Sequence, residues 1–426
     1  MRLSARLPSD AIKAAFEPHL ESNQTKIALA VSGGSDSIAL AHLAIEACVG
    51  RGTEIVVMTV DHNLRPESKQ EAERVAAWCG HVGVTHRLLR WENPQEAVGN
   101  LSSAARDARY ALMQADCKRL GINDLYTGHT LDDQAETVLM RLARGSGVDG
   151  LSAMAKIKIR AGGITLHRPL LGFTRDQLRG HLTAIGQSWM DDPTNEDETY
   201  DRVKARQMLE TLAPLGLTKE RLAATARMMG LARTALESQA GDLHDVWDWS
   251  PLGFAQTDSA EFFALPREIA LRRLSGVLKA LTGATYRPRL QGLEALMDHI
   301  SEGGRTLHGC IVRRRGDKIV IMREPNAITD REKPGKSSIL WDNRFQIDLT
   351  GPLDEGLMIA PLGEAGLQQI PIKTKDLPQV WRDAPHVARV ATPALWRGDV
   401  LVSAPLAPWK AHSDGPELHV KAIWGK

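Results

Sequence analysis

The chain of 426 residues has only four cysteines, Cys48, Cys79, Cys117 and Cys310, and no Cys-x-x-Cys pair. That argues against a disulfide framework, a zinc knuckle or a cysteine-held iron–sulfur cluster. No stretch approaches roughly 18 uninterrupted apolar residues, so no membrane-spanning helix is expected. Residues 1–9 carry Arg2 and Arg6 with no long apolar core behind them, which makes a cytoplasmic location the expectation. Net charge is nearly absent as well, at +1, and by itself names no partner. What remains, 43% hydrophobic and 25% charged residues, is an ordinary soluble composition in a chain long enough for two or three domains.

A further lack is more telling. The segment Ser32, Gly33, Gly34, Ser35, Asp36, Ser37 follows a short apolar strand at 26–31 and opens a helix at 36–48. Its glycines and hydroxyls at a helix start make an anion cradle. No lysine follows the glycines, so it is not a Walker A loop, and the spacing also fails the dinucleotide fingerprint. A carboxylate, Asp36, sits there instead, and beside phosphate it is repulsive unless a divalent cation bridges the two. Mg2+ is therefore implied.

Further strands are expected at 54–60, 81–89 and 122–127, alternating with helices at 67–79 and 95–120. This pattern predicts an α/β domain with a parallel sheet covered by helices on both faces, its ligand crevice beyond the carboxyl ends of the strands. Asp61 and His62, followed by Arg65, stand at one such end. Gly128, His129, Thr130, Leu131, Asp132, Asp133 and Glu136 stand at another, where Thr130 can cap a helix running to about 144. Asp132, Asp133 and Glu136 crowd one helix end and call for a metal, an ammonium or an arginine to neutralise them. Arg106 and Arg109 share a helix face beside Tyr110, and Arg202 and Arg206 share another; such pairs suit phosphates. A hairpin at 155–167 and a helix at 175–185 capped by Thr174 complete this region.

Domain boundaries are expected to give 1–214 as the catalytic domain, 215–325 as a mainly helical basic domain, and 337–426 as a small, mostly β domain. Between Arg267 and Arg323 there are 12 Lys/Arg against 5 Asp/Glu, including Arg313, Arg314 and Arg315. A local excess of this kind attracts a phosphate backbone. The 215–325 region is read as helices at 217–239, 265–281 and 288–301 followed by two strands within 305–323.

The loop at 32–37 resembles the pyrophosphate loop of the N-type ATP pyrophosphatases. Together with residues 61–65 and Ser68, Arg106, Arg109 and Tyr110, 128–137, 144–147, 168–171, Asp192 to Asn195, and Arg202 with Arg206, the pattern resembles the tRNA(Ile)-lysidine synthetases over residues 25–210. The resemblance thins afterwards: the last region keeps only Ile370, Pro371, Pro378, Trp381, Arg382 and Pro385, with Lys373 and Lys375 for a lysine-rich segment.

This resemblance implies a ligase that uses ATP to adenylate C2 of the wobble cytidine in the isoleucine tRNA with anticodon CAU. Free L-lysine then attacks, and AMP follows diphosphate as a product. It implies that Ser32, Gly33, Gly34, Ser35, Asp36 and Ser37, with Asp61, His62 and His129, contact the nucleotide. Asp36 and Asp133 would hold Mg2+, Arg109 and Arg206 would steady the phosphates, and Asp132, Glu136 and Asp61 are the acids for the lysine ammonium. The last domain would meet the tRNA acceptor end, and formation of a homodimer is left open. Alternatives are a tRNA cytidine thiolase, disfavoured by the missing cysteine pair, ammonia-dependent NAD or GMP synthetases, and a non-catalytic tRNA-binding protein.

Overall fold

The structure is a computed structural model that describes residues 5–21, 24–64, 67–94, 101–160, 162–191, 201–284, 286–335, 338–351, 355–371, 376–411 and 416–423. Arg65, residues 95–100, Asp192 to Asn195, Lys373 and Lys375 lie outside them. The chain forms two compact units, residues 1–234 and 235–426.

The first unit begins with helix α1 (Ser9–Phe16), strand β1 (Lys26–Ala30), helix α2 (Ser35–Cys48), β2 (Glu54–Asp61), α3 (Glu67–Val82) and β3 (Thr85–Arg90). It continues with α4 (Leu101–Leu120), β4 (Asp124–Thr127), α5 (Leu131–Ala143), α6 (Val148–Leu151), β5 (Ile157–Ile159), β6 (Thr165–His167), α7 (Arg175–Ala184), α8 (Asp201–Leu212) and the first part of α9 (Lys219–Ala240), which ends past residue 234. The sheet order is β3-β2-β1-β4-β6-β5. All neighbours are parallel except the β5–β6 hairpin. The expected α/β architecture is present.

Burial explains why β1 is central. Ile27, Ala28 and Leu29 are fully shielded, with Ile27 and Leu29 packing beneath α2 and Ala28 facing Met58, Tyr110 and Leu125. Burying each large aliphatic side chain contributes about 2 kcal/mol, and a strand covered on both faces cannot alternate apolar with polar residues. The third strand starts at Thr85 and not at residue 81, because α3 runs on to Val82 before Gly83, at φ +72°, ends it.

The order has a functional consequence. From β1 the chain moves outward to β2 and β3, then crosses back to place β4 on the other side of β1. The carboxyl ends of β1 and β4 therefore flank the topological switch point, where open α/β sheets bind ligands.

The second unit holds α10 (Leu243–Val246), β7 (Asp248–Ser250), β8 (Phe254–Asp258), α11 (Ser259–Ala264), α12 (Arg267–Thr282), α13 (Leu290–His299), β9 (Arg305–Leu307), β10 (Cys310–Arg315) and β11 (Lys318–Arg323). The antiparallel sheet β7-β8-β11-β10-β9 packs against α12 and α13. Residues 305–323 form three strands where two were expected, because His308 and Gly309 both take positive φ, +56° and +69°, and turn the chain between β9 and β10.

After these come β12 (Ile339–Trp341), β13 (Phe345–Thr350), β14 (Leu357–Pro361), helices α14 (Gly363–Gln369), α15 (Gln379–Asp383) and α16 (His386–Val390), then β15 (Pro393–Arg397), β16 (Val400–Ala404), β17 (Trp409–Lys410) and β18 (Glu417–Ala422). They form the sheets β12-β13-β18 and β14-β15-β16-β17. A buried charge cluster ties β11 to this part: Arg323 and Arg344 both bind Asp342, at 2.8 and 2.6 Å, and Arg344 donates to the Gly253 and Ala391 carbonyls. Trp381 is buried in the core, and Trp396 and Trp409 pack against it.

Candidate active site

The loop leaving β1 is organised from inside. The backbone N–H groups of Ser32 and Gly33 each donate to Ser37 Oγ at 3.1 Å, and that hydroxyl donates to the Gly34 carbonyl at 2.9 Å. Ser37 thus shapes the cradle, while Ser35 Oγ stands 3.2 Å from Asp36 Oδ1 and receives Arg179 Nε at 3.3 Å. Gly33 adopts φ +94°, and a Cβ there would stand 1.9 Å from Met190 Cε. Met190 also donates its N–H to the Gly33 carbonyl at 3.0 Å, so the loop is clamped from behind.

The carboxyl end of β4 meets this loop through a second glycine. A Cβ on Gly128 would lie 2.7 Å from the Asp36 carbonyl oxygen, so hydrogen alone permits the approach of the two backbones. Two residues on, Thr130 caps α5: its N–H donates to Asp133 Oδ2 at 2.8 Å and its hydroxyl accepts from the Asp133 N–H at 3.4 Å. This is the expected capping box, and it fixes the first turn of α5 that carries Asp132, Asp133 and Glu136.

These acids have unequal surroundings. Asp132 is satisfied on both oxygens, by Lys219 Nζ at 2.5 Å and by the Arg175 N–H at 2.8 Å. Burial works against its charge, yet these partners hold its pKa below the ordinary value. Asp61 is likewise engaged by its own loop: Oδ1 accepts from the Asn63 N–H at 2.8 Å and the Ser68 hydroxyl at 2.7 Å, and Arg90 lies 3.5 Å from Oδ2. Against the effect of burial, that set keeps its carboxyl below the usual range.

Glu136 differs. It is 1% exposed, and Oε1 receives Arg206 Nε at 3.1 Å, but Oε2 finds no hydrogen-bond partner among the described residues. Burial and neighbouring Asp133 raise its pKa despite Arg206 and Arg175. Asp36 is raised too, by burial first and by Asp133, against Arg175.

At the centre of the acids lies Arg175, the first residue of α7. Its Nε donates to Asp36 Oδ2 at 3.0 Å, and its terminal nitrogens lie 3.8 Å from Asp133 Oδ1 and 3.8 Å from Glu136 Oε1. Neither Arg175 nor Lys219 stands out in the sequence as a site residue. One signal for Arg175 does exist: a cation at the first position of a helix opposes the macrodipole, so its charge must be answered elsewhere.

The opposite wall is basic. The Arg106, Arg109 and Arg160 guanidiniums lie 5.4, 5.2 and 4.1 Å from the centre of the Tyr110 ring. The Nε atoms of Arg109, Arg160 and Arg168 find no hydrogen-bond partner among the described residues. This wall reaches His129: burial, with Arg168, Arg109 and Arg106, outweighs Asp133 and depresses its pKa to about 3. The imidazole is therefore neutral at physiological pH, with Nδ1 2.8 Å from Thr127 Oγ1. His62 is pushed down by burial and Arg109, its ring set edge-on to Trp91. The structure thus brings the loop 32–37, Asp133, Glu136 and Arg206 together around Arg175, with His129, His62 and Arg109 along the basic side.

A cradle for phosphates beside a carboxylate cluster at a switch point is a nucleotide-binding geometry. Residues 8–212 match the PP-loop domain family. The tRNA(Ile)-lysidine synthase of Ruegeria pomeroyi is 41% identical over 388 residues, covering 90% of this chain and 88% of that protein. The chain belongs to the tRNA(Ile)-lysidine synthase family. The protein of that name from Wolbachia pipientis wMel is 36% identical over 85% of this chain and 86% of its own length. Among solved structures, a U34-tRNA thiolase from Methanococcus maripaludis with its [4Fe-4S] cluster is similar at a TM-score of 0.46 and 17% identity, covering 52% of this chain and 78% of that one. All four cysteines here are free and buried. As a PP-loop lysidine synthase family member, the chain is an ATP-binding ligase. Among the described residues no helix is long and apolar enough to cross a membrane.

Proposed function

We propose that this chain converts the wobble cytidine of the isoleucine tRNA with anticodon CAU to lysidine, with ATP and L-lysine as co-substrates. The C2 oxygen of the base attacks the α-phosphate of ATP and diphosphate leaves. The ε-amine of lysine then attacks C2, and the C2–O bond to AMP breaks. The observation that carries the reading is the meeting of loop 32–37 with Asp133 and Glu136 across Gly128, in a chain aligned over most of its length with lysidine synthases.

The backbone of 32–37 and the Ser35 hydroxyl cradle the departing diphosphate, and Arg109 and Arg206 supply fixed positive charge as negative charge moves onto it. His62 and His129, both neutral, offer ring nitrogens to the nucleotide without adding charge. Asp36 and Asp133 carry hard oxygen donors and already share one cation, Arg175, so the pair fits Mg2+. When bound, Mg2+ would offset the charge of the triphosphate and polarise the α-phosphate.

For the second step an ammonium must be held and then lose a proton, since only the free amine is nucleophilic. Glu136 suits both tasks: Oε2 is buried and has no hydrogen-bond partner among the described residues, and the raised pKa makes the carboxylate a better proton acceptor. Asp132 and Asp61, with full sets of partners, act on this reading by fixing α5 and the 61–68 loop.

Residues 215–325 grip the tRNA body and 337–426 its acceptor end. Supporting this, Arg314 and Arg315 donate to the carbonyls of Gly316 and Asp383, at 2.9 and 2.6 Å, contacts that do not neutralise their charge toward phosphates. Incubation with ATP, labelled lysine and the CAU-anticodon tRNA, followed by mass analysis of the anticodon loop, tests the assignment. The expected product is heavier by lysine minus water at the wobble cytidine; sulfur in place of lysine would sink it in favour of thiolation.

A further inference from the structure

Arg175 is expensive where it stands. It opens α7, where unpaired N–H groups already present positive charge, and its side chain is only 18% exposed. The Thr174 cap, closed by Gln177, holds that helix start in place. The Arg175 N–H is tied to Asp132, so the residue is anchored by its backbone while its side chain reaches acids on two other elements. Only the contact with Asp36, at 3.0 Å, is a hydrogen bond; those to Asp133 and Glu136, at 3.8 Å, are looser. Among the described residues, no three acid, histidine or cysteine groups converge tightly enough for a metal ion. Asp36 and Asp133 can therefore supply two carboxylates to a divalent ion, with the rest of its oxygen ligands left to water and phosphate.

We propose that Arg175 is a resident counter-cation of the acid cluster, which holds Asp36 and Asp133 while no triphosphate is bound and yields Asp36 to the divalent cation that arrives with ATP. This rests on the assignment of Mg2+ to Asp36 and Asp133. Two cations do not share one carboxylate pair at these distances without strong repulsion, so metal and guanidinium compete. The consequence is an order of events: the divalent ion alone loads poorly, and it loads together with the triphosphate, whose negative charge accepts the displaced guanidinium. The acid cluster is thereby kept compensated at every stage, and Arg175 acts as a positioning residue.

The test measures Mn2+ binding to the full chain without nucleotide, from the free Mn2+ signal in electron paramagnetic resonance, alongside thermal unfolding. Arg175→Gln is expected to bind Mn2+ on the order of ten-fold more tightly than the parent and to be stabilised by Mn2+ more than the parent is. Adding Asp36→Asn to that variant is expected to abolish the gain. A folded Arg175→Gln protein with unchanged or weaker Mn2+ binding overturns the proposal alone, provided Asp36→Asn in the parent still weakens binding of Mn2+ with ATP. A gain that survives Asp36→Asn overturns the metal assignment instead, and this proposal with it. Arg175→Lys keeps one charge and loses the fork, so its affinity is expected to fall between the two; should the glutamine variant not fold, parent-like affinity in the lysine variant counts against competition.

Discussion

Gly128→Ala adds one methyl group at the point where β4 delivers its loop to the phosphate cradle. That carbon would lie 2.7 Å from the Asp36 carbonyl oxygen, 3.0 Å from its carbonyl carbon and 3.2 Å from the Ser37 nitrogen. All three are backbone atoms, so no rotamer change relieves the clash, and the loops must part by about 0.7 Å to restore ordinary contact. Overpacking of this kind costs about 1–3 kcal/mol, which for a unit of this size lowers the unfolding temperature by roughly 2–12 °C. Catalysis should suffer more than folding, because a displacement of up to 1 Å between phosphate cradle and carboxylates costs as much as about 100-fold in rate. Differential scanning calorimetry reads the first effect, and diphosphate release with saturating tRNA and lysine reads the second. A folded variant with unchanged kcat and kcat/KM for ATP would refute the idea that this backbone contact sets the site.

Three other perturbations address separate parts of the reading. Glu136→Gln removes a charged partner for an ammonium, a contribution of about 1.5–3 kcal/mol, and should raise the KM for lysine roughly 10- to 150-fold with little change for ATP; an unchanged lysine KM counts against Glu136 as the holder. His129 stays neutral in the fold down to about pH 3, whereas the unfolded chain protonates it near pH 6.5, so its contribution to stability is present above that value and is lost as pH falls toward 3. His129→Gln should therefore lose less unfolding temperature than the parent between pH 7.5 and pH 5, and parallel curves would contradict the buried neutral imidazole. Neutralising Arg313, Arg314 and Arg315 together should raise the KM for tRNA on the order of ten-fold and flatten its salt dependence by up to about 2 log units per log salt; equal loss on a minimal anticodon stem-loop would place these arginines elsewhere.

Much of the first unit was legible in the sequence because its signals are local. Apolar runs of strand length alternating with helices specify a parallel sheet, Gly33 and Gly34 mark a loop that needs missing side chains, and Thr130 with Asp133 writes its own cap. The second unit was harder to read. Strands β7 and β9 have three residues each, too few for a period to declare itself, and both gain their place only by pairing with β8 and β10.

From the chain alone came the type of chemistry: a phosphate cradle without a lysine, an excess of carboxylates at a helix start, and a stretch with an excess of basic residues. The tertiary structure alone decided which partners each of those carboxylates meets. Asp132, Asp133 and Glu136 look alike along α5, yet Lys219, Thr130 and Arg206 reach them from positions 87, 3 and 70 residues away, and among the described residues one oxygen of Glu136 stays unmatched. Spacing within a helix fixes which side chains are neighbours; which of them remains unpaired depends on partners that only the folded sheet brings near.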